Sequence, residues 1–189
     1  MGRGPGLRVV AGDRGGLRLV APDDARPTTD RVREAVFSAL GARVVEVNVL
    51  DLFAGSGAMA IEALSRGASR AVLVDRERAA MAAIRKNLLT TKLLTRARAV
   101  RKPVRAFLLA NPPREAPFGL VCCDPPYDLS SAQLGDTLEA LARPGWLTGG
   151  ATVVLERSAA SGAPALPDPW VSTWERTYGD TLVVIALAP

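Results

Sequence analysis

Two acidic residues, Asp51 and Asp124, each sit at the end of a short apolar run, and a turn follows each of them. The first run, Val47 to Leu52, leads into the glycine-bracketed turn Ala54-Gly55-Ser56-Gly57. A helical pattern through Met59, Ile61 and Leu64 then continues to Gly67. Strand, glycine turn and helix make a nucleotide site, because glycine lets backbone approach a ligand and a helix start offers unpaired N–H groups. The spacing Gly55-x-Gly57-x-x-Ala60 fits the dinucleotide fingerprint, and Asp75 lies 20 residues past Gly55 at the end of the next apolar run. By itself the pattern suits NAD, another adenosine-bearing cofactor, or a strand–helix turn without a ligand.

The two acids decide among these. A pyrophosphate would be repelled by Asp51, four residues before Gly55, whereas a ligand with a cationic amine or a sulfonium would be attracted. The second acid opens Asp124-Pro125-Pro126-Tyr127, directly after the run Leu120 to Cys123. S-adenosylmethionine, with its amino group and positive sulfur, suits Asp51 better than a dinucleotide does.

The remaining composition excludes much. With no histidine in 189 residues, Ser-His-Asp hydrolysis, histidine bases and His-ligated zinc are ruled out, and no metal is expected. Cys122 and Cys123 are neighbours on one expected strand and point to opposite faces, so they read as buried small hydrophobes. No apolar stretch reaches bilayer length and the basic start lacks a signal-peptide core, so a cytoplasmic protein with no membrane partner is expected. Net charge is +5, and between Glu77 and Glu115 there are ten cationic residues and no acid. That span reads either as a solvated face or as a surface for a polyanion.

These residues need a frame to hold them. Leu7–Ala11 and Leu17–Val20 flank Asp13-Arg14-Gly15-Gly16 and read as a β-hairpin. Val32, Ala35, Val36, Ala39 and Leu40 then follow helical spacing, with Thr29 or Asp30 as N-cap and Gly41 as the stop. Arg31 and Arg33 fall on the polar face, either solvated or touching phosphate. From Val47 onward strands (47–52, 70–75, 97–100, 120–123, 151–156) alternate with helices (58–66, 77–89, 104–109, 131–141), ahead of a closing antiparallel hairpin over 171–178 and 181–187. Strands apolar on both faces and separated by helices indicate a covered parallel sheet. Residues 1–29 form an N-terminal extension and 30–189 the body. Parallel order brings the carboxyl ends of the first and fourth body strands to one edge, so both acidic turns should share a crevice with Asp75, placed to take ribose hydroxyls.

Asp51–Ala68 (DLFAGSGAMAIEALSRGA), Arg26–Phe37 (RPTTDRVREAVF) and Asp124–Tyr127 (DPPY) together resemble the bacterial 16S rRNA guanine-N2 methyltransferases of the RsmD family. The likeness runs through nearly the whole chain. It implies the class I methyltransferase fold, a Rossmann-like α/β architecture with a seven-stranded, mostly parallel sheet and an antiparallel last strand. It also implies methyl transfer from S-adenosylmethionine to the exocyclic amine of a guanine in 16S rRNA or the assembling small ribosomal subunit, by a monomer.

On that resemblance Asp124 and the Pro125 carbonyl accept hydrogen bonds from the amine, Pro126 stiffens the turn, and Tyr127 stacks on a base drawn out of its stack. Asp51 takes the methionine amino group, the backbone of Phe53, Ala54, Gly55, Ser56 and Gly57 forms a wall, and Asp75 takes the ribose. Arg76 stacks on adenine or faces water, while Arg26, Thr28, Arg31 and Arg33 are candidate RNA contacts. One departure concerns the adenine: where relatives carry Asp or Asn after the third strand, this chain has Pro103, which has no side-chain acceptor. A DNA adenine-N6 or protein glutamine-N5 methyltransferase is the alternative, since DPPY marks amine methylation in general. An NAD oxidoreductase or a non-catalytic RNA-binding protein is more distant.

Overall fold

The computed structural model describes residues 6–22 and 29–189. Its centre is a seven-stranded sheet made of β1 (Asn48–Leu52), β2 (Arg70–Asp75), β3 (Ala97–Arg101), β4 (Phe118–Cys123), β5 (Leu147–Ser158), β6 (Val171–Tyr178) and β7 (Thr181–Ala188). The strand order is β3-β2-β1-β4-β5-β7-β6. β1 pairs in parallel with β2 and β4, β2 with β3, and β4 with β5, whereas β7 runs antiparallel between β5 and β6. Five helices cover it: α1 (Asp30–Leu40), α2 (Ala58–Ser65), α3 (Arg78–Thr90), α4 (Val104–Leu108) and α5 (Ser131–Leu141).

Alternation along the strands sorts the core into two layers. Val49, Leu73, Leu120, Cys122 and Val154 pack with α1, α2 and α3. Leu50, Leu52, Val72, Val121, Cys123 and Leu155 pack with α4 and α5 around the buried Trp146, whose ring meets Phe107 edge-on at 5.3 Å. The two free cysteines therefore lie in opposite layers, and burial pushes both thiols up in pKa. Central β4 is buried along its whole length, while edge β3 is exposed or half-buried throughout.

Local signals explain the element ends. Thr29 Oγ1 accepts from Val32 N at 3.4 Å to cap α1, and Gly41 at φ +54 stops it. Ser130 and Gln133 form a reciprocal capping box at the start of α5. β5 begins four residues before the expected strand. Thr148-Gly149-Gly150 looks like a loop in sequence, yet Phe118 pairs with Leu147 and draws the stretch into the sheet.

The expected N-terminal hairpin is reduced to one antiparallel bridge, Arg8 with Arg18. Val9 N donates to Leu17 O at 2.9 Å, Gly16 N to Val9 O at 2.8 Å and Leu19 N to Leu7 O at 2.8 Å, so the two arms still pair, while the outward N–H groups turn to α2. Val10 N and Ala11 N donate to the Glu62 carboxylate at 2.7 and 3.0 Å, and Asp13 N donates to Ser65 O at 2.9 Å. A Cβ on Gly12 would lie 2.0 Å from Ser65 O, so only glycine permits this close approach to α2. Val9 and Leu19 enter the same core layer as α1 and α2.

Candidate active site

β1 ends in a turn whose backbone is unusual: Phe53, Gly55 and Gly57 all have positive φ, at +58, +52 and +76. For Phe53 this conformation costs roughly 1 kcal/mol or more, and the surroundings hold it. Ala54 N donates to Val74 O at 3.1 Å, and Gly55 N donates to Asp75 Oδ2 at 2.8 Å. Gly57 N closes the turn on Ala54 O at 2.6 Å. A Cβ on Gly57 would come within 2.7 Å of Leu73 Cδ2, so the close packing of α2 on β2 requires its absence.

Asp51 lies behind this turn, almost fully buried, with Oδ2 accepting from Ala60 N at 3.1 Å. Burial pushes its carboxyl well above the usual range. The Ala60 N–H opposes that rise, and the nearby charges of Asp124 and Asp75 add to it. Asp75, half-buried at the end of β2, uses its second oxygen to accept from Glu77 N at 2.9 Å. Arg76 is exposed and paired with Glu77.

β1 and β4 are neighbours in the sheet, with Leu52 beside Cys123, so Asp124 follows β4 at the edge where the glycine turn follows β1. Asp124 N lies 3.5 Å from Leu52 O. Asp124 is exposed, Pro125 is buried, and Tyr127 is 57% exposed. Phe53, Ala54, Gly55, Ser56, Asp75, Arg76 and all four residues of Asp124–Tyr127 line one cleft of about 1060 Å³. Pro103 lines it too, as does Arg31 from α1. Asp51 and Gly57 stand behind the lining.

Other expected site residues fall elsewhere. Arg33 corrects the reading of α1, for it is fully buried instead of solvent-facing. Its guanidinium donates to Arg8 O and to Asp30 Oδ1, the latter at 2.7 Å. Burial lowers its pKa, while Asp30, Glu62 and Glu156 support its charge. Amphipathic spacing assigns it to the polar face because the N-terminal segment that covers it is invisible to periodicity. Arg26 and Thr28 lie outside the described residues.

Sequence reasoning missed five contributors. Asn87, buried in α3, donates from Nδ2 to Ser56 O and Val20 O and accepts from Val20 N, each at 2.8 Å, tying the glycine turn to the N-terminal segment. Glu156 and Arg157, both buried, close β5 and line the cleft. Tyr178 and Asp180 line its far wall, at the turn between β6 and β7. Glu156 and Arg157 end an apolar run just as Asp124 does, and that signal was available in the sequence.

The comparisons with known proteins agree with this geometry. The family model described as "Conserved hypothetical protein 95" matches residues 7–187. Ribosomal RNA small subunit methyltransferase D of Escherichia coli (strain K12) is 37% identical over 175 residues, which is 92% of this chain and 85% of that protein. The chain belongs to the RsmD family.

The solved structure of yhhF from Escherichia coli superposes on this RsmD-family chain with a TM-score of 0.86 at 35% identity, over 96% of this chain and 97% of that one. SMU.776, complexed with SAH, is 13% identical with a TM-score of 0.64, over 84% of this chain and 49% of that one, and shares the fold alone. The fold is the class I methyltransferase fold, and the RsmD-family chain is an S-adenosylmethionine-dependent enzyme. Its residues fit that cofactor. Bare backbone at Gly55 faces the cleft, the Asp75 carboxylate borders it, and Asp51 places a buried carboxyl group behind the turn. No helix among the described residues is long and apolar enough to cross a membrane.

Proposed function

We propose that this enzyme methylates the exocyclic N2 amine of one guanine in 16S rRNA, as naked RNA or in the assembling small subunit, acting as a cytoplasmic monomer. One observation carries the reading: the Asp124-Pro125-Pro126-Tyr127 turn opens into the same cleft as the glycine turn, in a chain 37% identical to an rRNA small subunit methyltransferase.

S-adenosylmethionine, when bound, supplies a methyl group already activated by a sulfonium sulfur. Asp51, the backbone from Phe53 to Gly57, and Asp75 would hold it. The protein's remaining task is to present the amine. A guanine amine is a poor nucleophile because its lone pair is delocalised into the ring. The Asp124 carboxylate and the Pro125 carbonyl accept its two N–H hydrogens, which frees the lone pair and aims it. As the nitrogen gains positive charge, the Asp124 carboxylate stabilises it electrostatically and stands ready to take the departing proton. Neither proline has an N–H to compete for these acceptors. Tyr127, exposed at the rim, offers its ring face to an extruded base, a contact of about 1–3 kcal/mol. Positive charge on Arg31 would meet the flanking phosphates.

The test is to incubate the pure protein with methyl-labelled cofactor and unmodified small subunits, or their RNA, and to map the product. Label on the N2 of a single guanine is expected. Label on DNA adenine or on protein glutamine would replace this reading with the other DPPY chemistries, and label on no polymer would refute it.

A further inference from the structure

Glu156 has no part in holding the cofactor or the amine as described above, yet it stands beside them. Cys123 and Leu155 are register partners on β4 and β5, so Asp124 and Glu156 are the next residues outward on neighbouring strands. Strand alternation puts Asp51, Cys122 and Val154 on one face of the sheet, with Cys122 and Val154 in the layer of α1 and α2. Glu156, two residues beyond Val154, shares that face. It lines the same cleft as Asp124 and Tyr127 and is 4% exposed. A buried carboxylate needs a counter-charge, and Arg33, fully buried on α1, is close enough for the two charges to support each other.

Parallel strands lie about 4.8 Å apart, so two acids at adjacent register positions, Asp124 just past β4 and Glu156 near the end of β5, can reach neighbouring atoms of one planar ring. Guanine offers two adjacent donors for such a pair, the N2 amine and N1–H. Adenine offers a donor and an acceptor on the corresponding edge, and a carboxylate facing that acceptor would be repelled. A DPPY turn alone reads only an amine.

We propose that Glu156 is the base-selecting residue of this cleft, accepting the N1–H of the extruded guanine while Asp124 holds the N2 amine. The proposal rests on the guanine-N2 reading above. Glu156 thereby makes a general amine site specific for an amidine edge with two donors. Arg33, held by Asp30 and the Arg8 carbonyl, adds counter-charge on the α1 side.

The experiment compares two substrates at the mapped target position: guanine, and 2,6-diaminopurine, which keeps the N2 amine but has an acceptor at N1. The analogue is placed by splint ligation in otherwise identical RNA. Wild-type protein should prefer guanine by ~100-fold or more in kcat/KM, as a site built around a hydrogen bond does. Glu156→Gln, whose amide can turn to donate, should reduce that preference to within ~10-fold, with cofactor affinity changed by no more than a few-fold. A purely structural Glu156 would lower both rates together and leave their ratio alone, so an unchanged ratio overturns the proposal. Equal use of both bases by the wild-type protein also overturns it, and that comparison holds even if the variant does not fold. Transfer to no guanine at all by wild-type protein would instead defeat the underlying reading, a different result from either of these.

Discussion

The two walls of the cleft are built differently. On the cofactor side, the glycine turn and Asp75 are locked by backbone hydrogen bonds: Gly55 N and Glu77 N to Asp75, Ala60 N to Asp51, and Asn87 to the Ser56 carbonyl. Asp51 and Asn87 are almost completely buried. On the opposite side, Asp124 and Tyr127 are exposed, and Tyr178 and Asp180 sit at a hairpin turn. A wall that must grip one invariant small molecule can be fixed by main-chain geometry. A wall proposed to receive a nucleotide drawn from a large RNA leaves Asp124 and Tyr127 open at its rim, with Glu156 buried behind them.

Five substitutions would break or sharpen that contrast. The largest effect is expected from Asp124→Ala, which should lower kcat by about 10²–10³-fold or more while the cofactor Kd moves only a few-fold. Equilibrium binding of labelled cofactor beside single-turnover kinetics separates the two, and equal losses in both would mean that the walls are not distinct. Next is Asn87→Ala, which strips partners from Val20 and from the Ser56 carbonyl. Leaving these groups unsatisfied costs about 1–3 kcal/mol, so Tm should fall and cofactor affinity weaken, with kcat at saturating cofactor largely kept.

A smaller, pH-dependent effect belongs to Asp51. Its raised pKa means that the free protein holds the proton to higher pH than an ordinary carboxyl does, whereas a bound cationic amine favours the carboxylate, so in the pH range of that shift binding expels a proton. Cofactor affinity should therefore rise with pH through the raised value and level off above it, and Asp51→Asn should flatten the profile. The stability of the free protein runs the other way. The folded state keeps a proton that the unfolded chain gives up, so the Asp51 contribution falls as pH climbs from the usual carboxylate range through the raised one. Titration calorimetry across pH checks the first trend and thermal melts check the second. The smallest effect is expected from Arg31→Glu, a few-fold loss of RNA affinity that fades with added salt, with cofactor binding untouched. Arg33→Glu should instead unfold the N-terminal segment at any salt concentration, because it replaces a buried cation with a fourth acid beside Asp30, Glu62 and Glu156.

Much of this was legible in the chain. The strand–helix alternation from β1 to β5, the glycine turn, and the meeting of both acidic turns at one sheet edge all follow from local apolar periodicity and parallel order. The elements that escaped have a common cause. Arg33 looks solvent-facing until the N-terminal segment covers it. The hairpin at 7–20 is anchored to the body because Glu62, 51 residues or more away, takes the Val10 and Ala11 N–H groups. Glu156 looks like the end of a buried strand until the register sets it beside Asp124.

Sequence alone determined the class of fold and the two turns proposed to carry the chemistry, because side-chain periodicity and glycine's freedom act within a few residues. Tertiary structure decided which charges are buried and paired, and which third strand end joins the cleft. Those outcomes depend on contacts between segments distant along the chain, where neither spacing nor propensity carries the information.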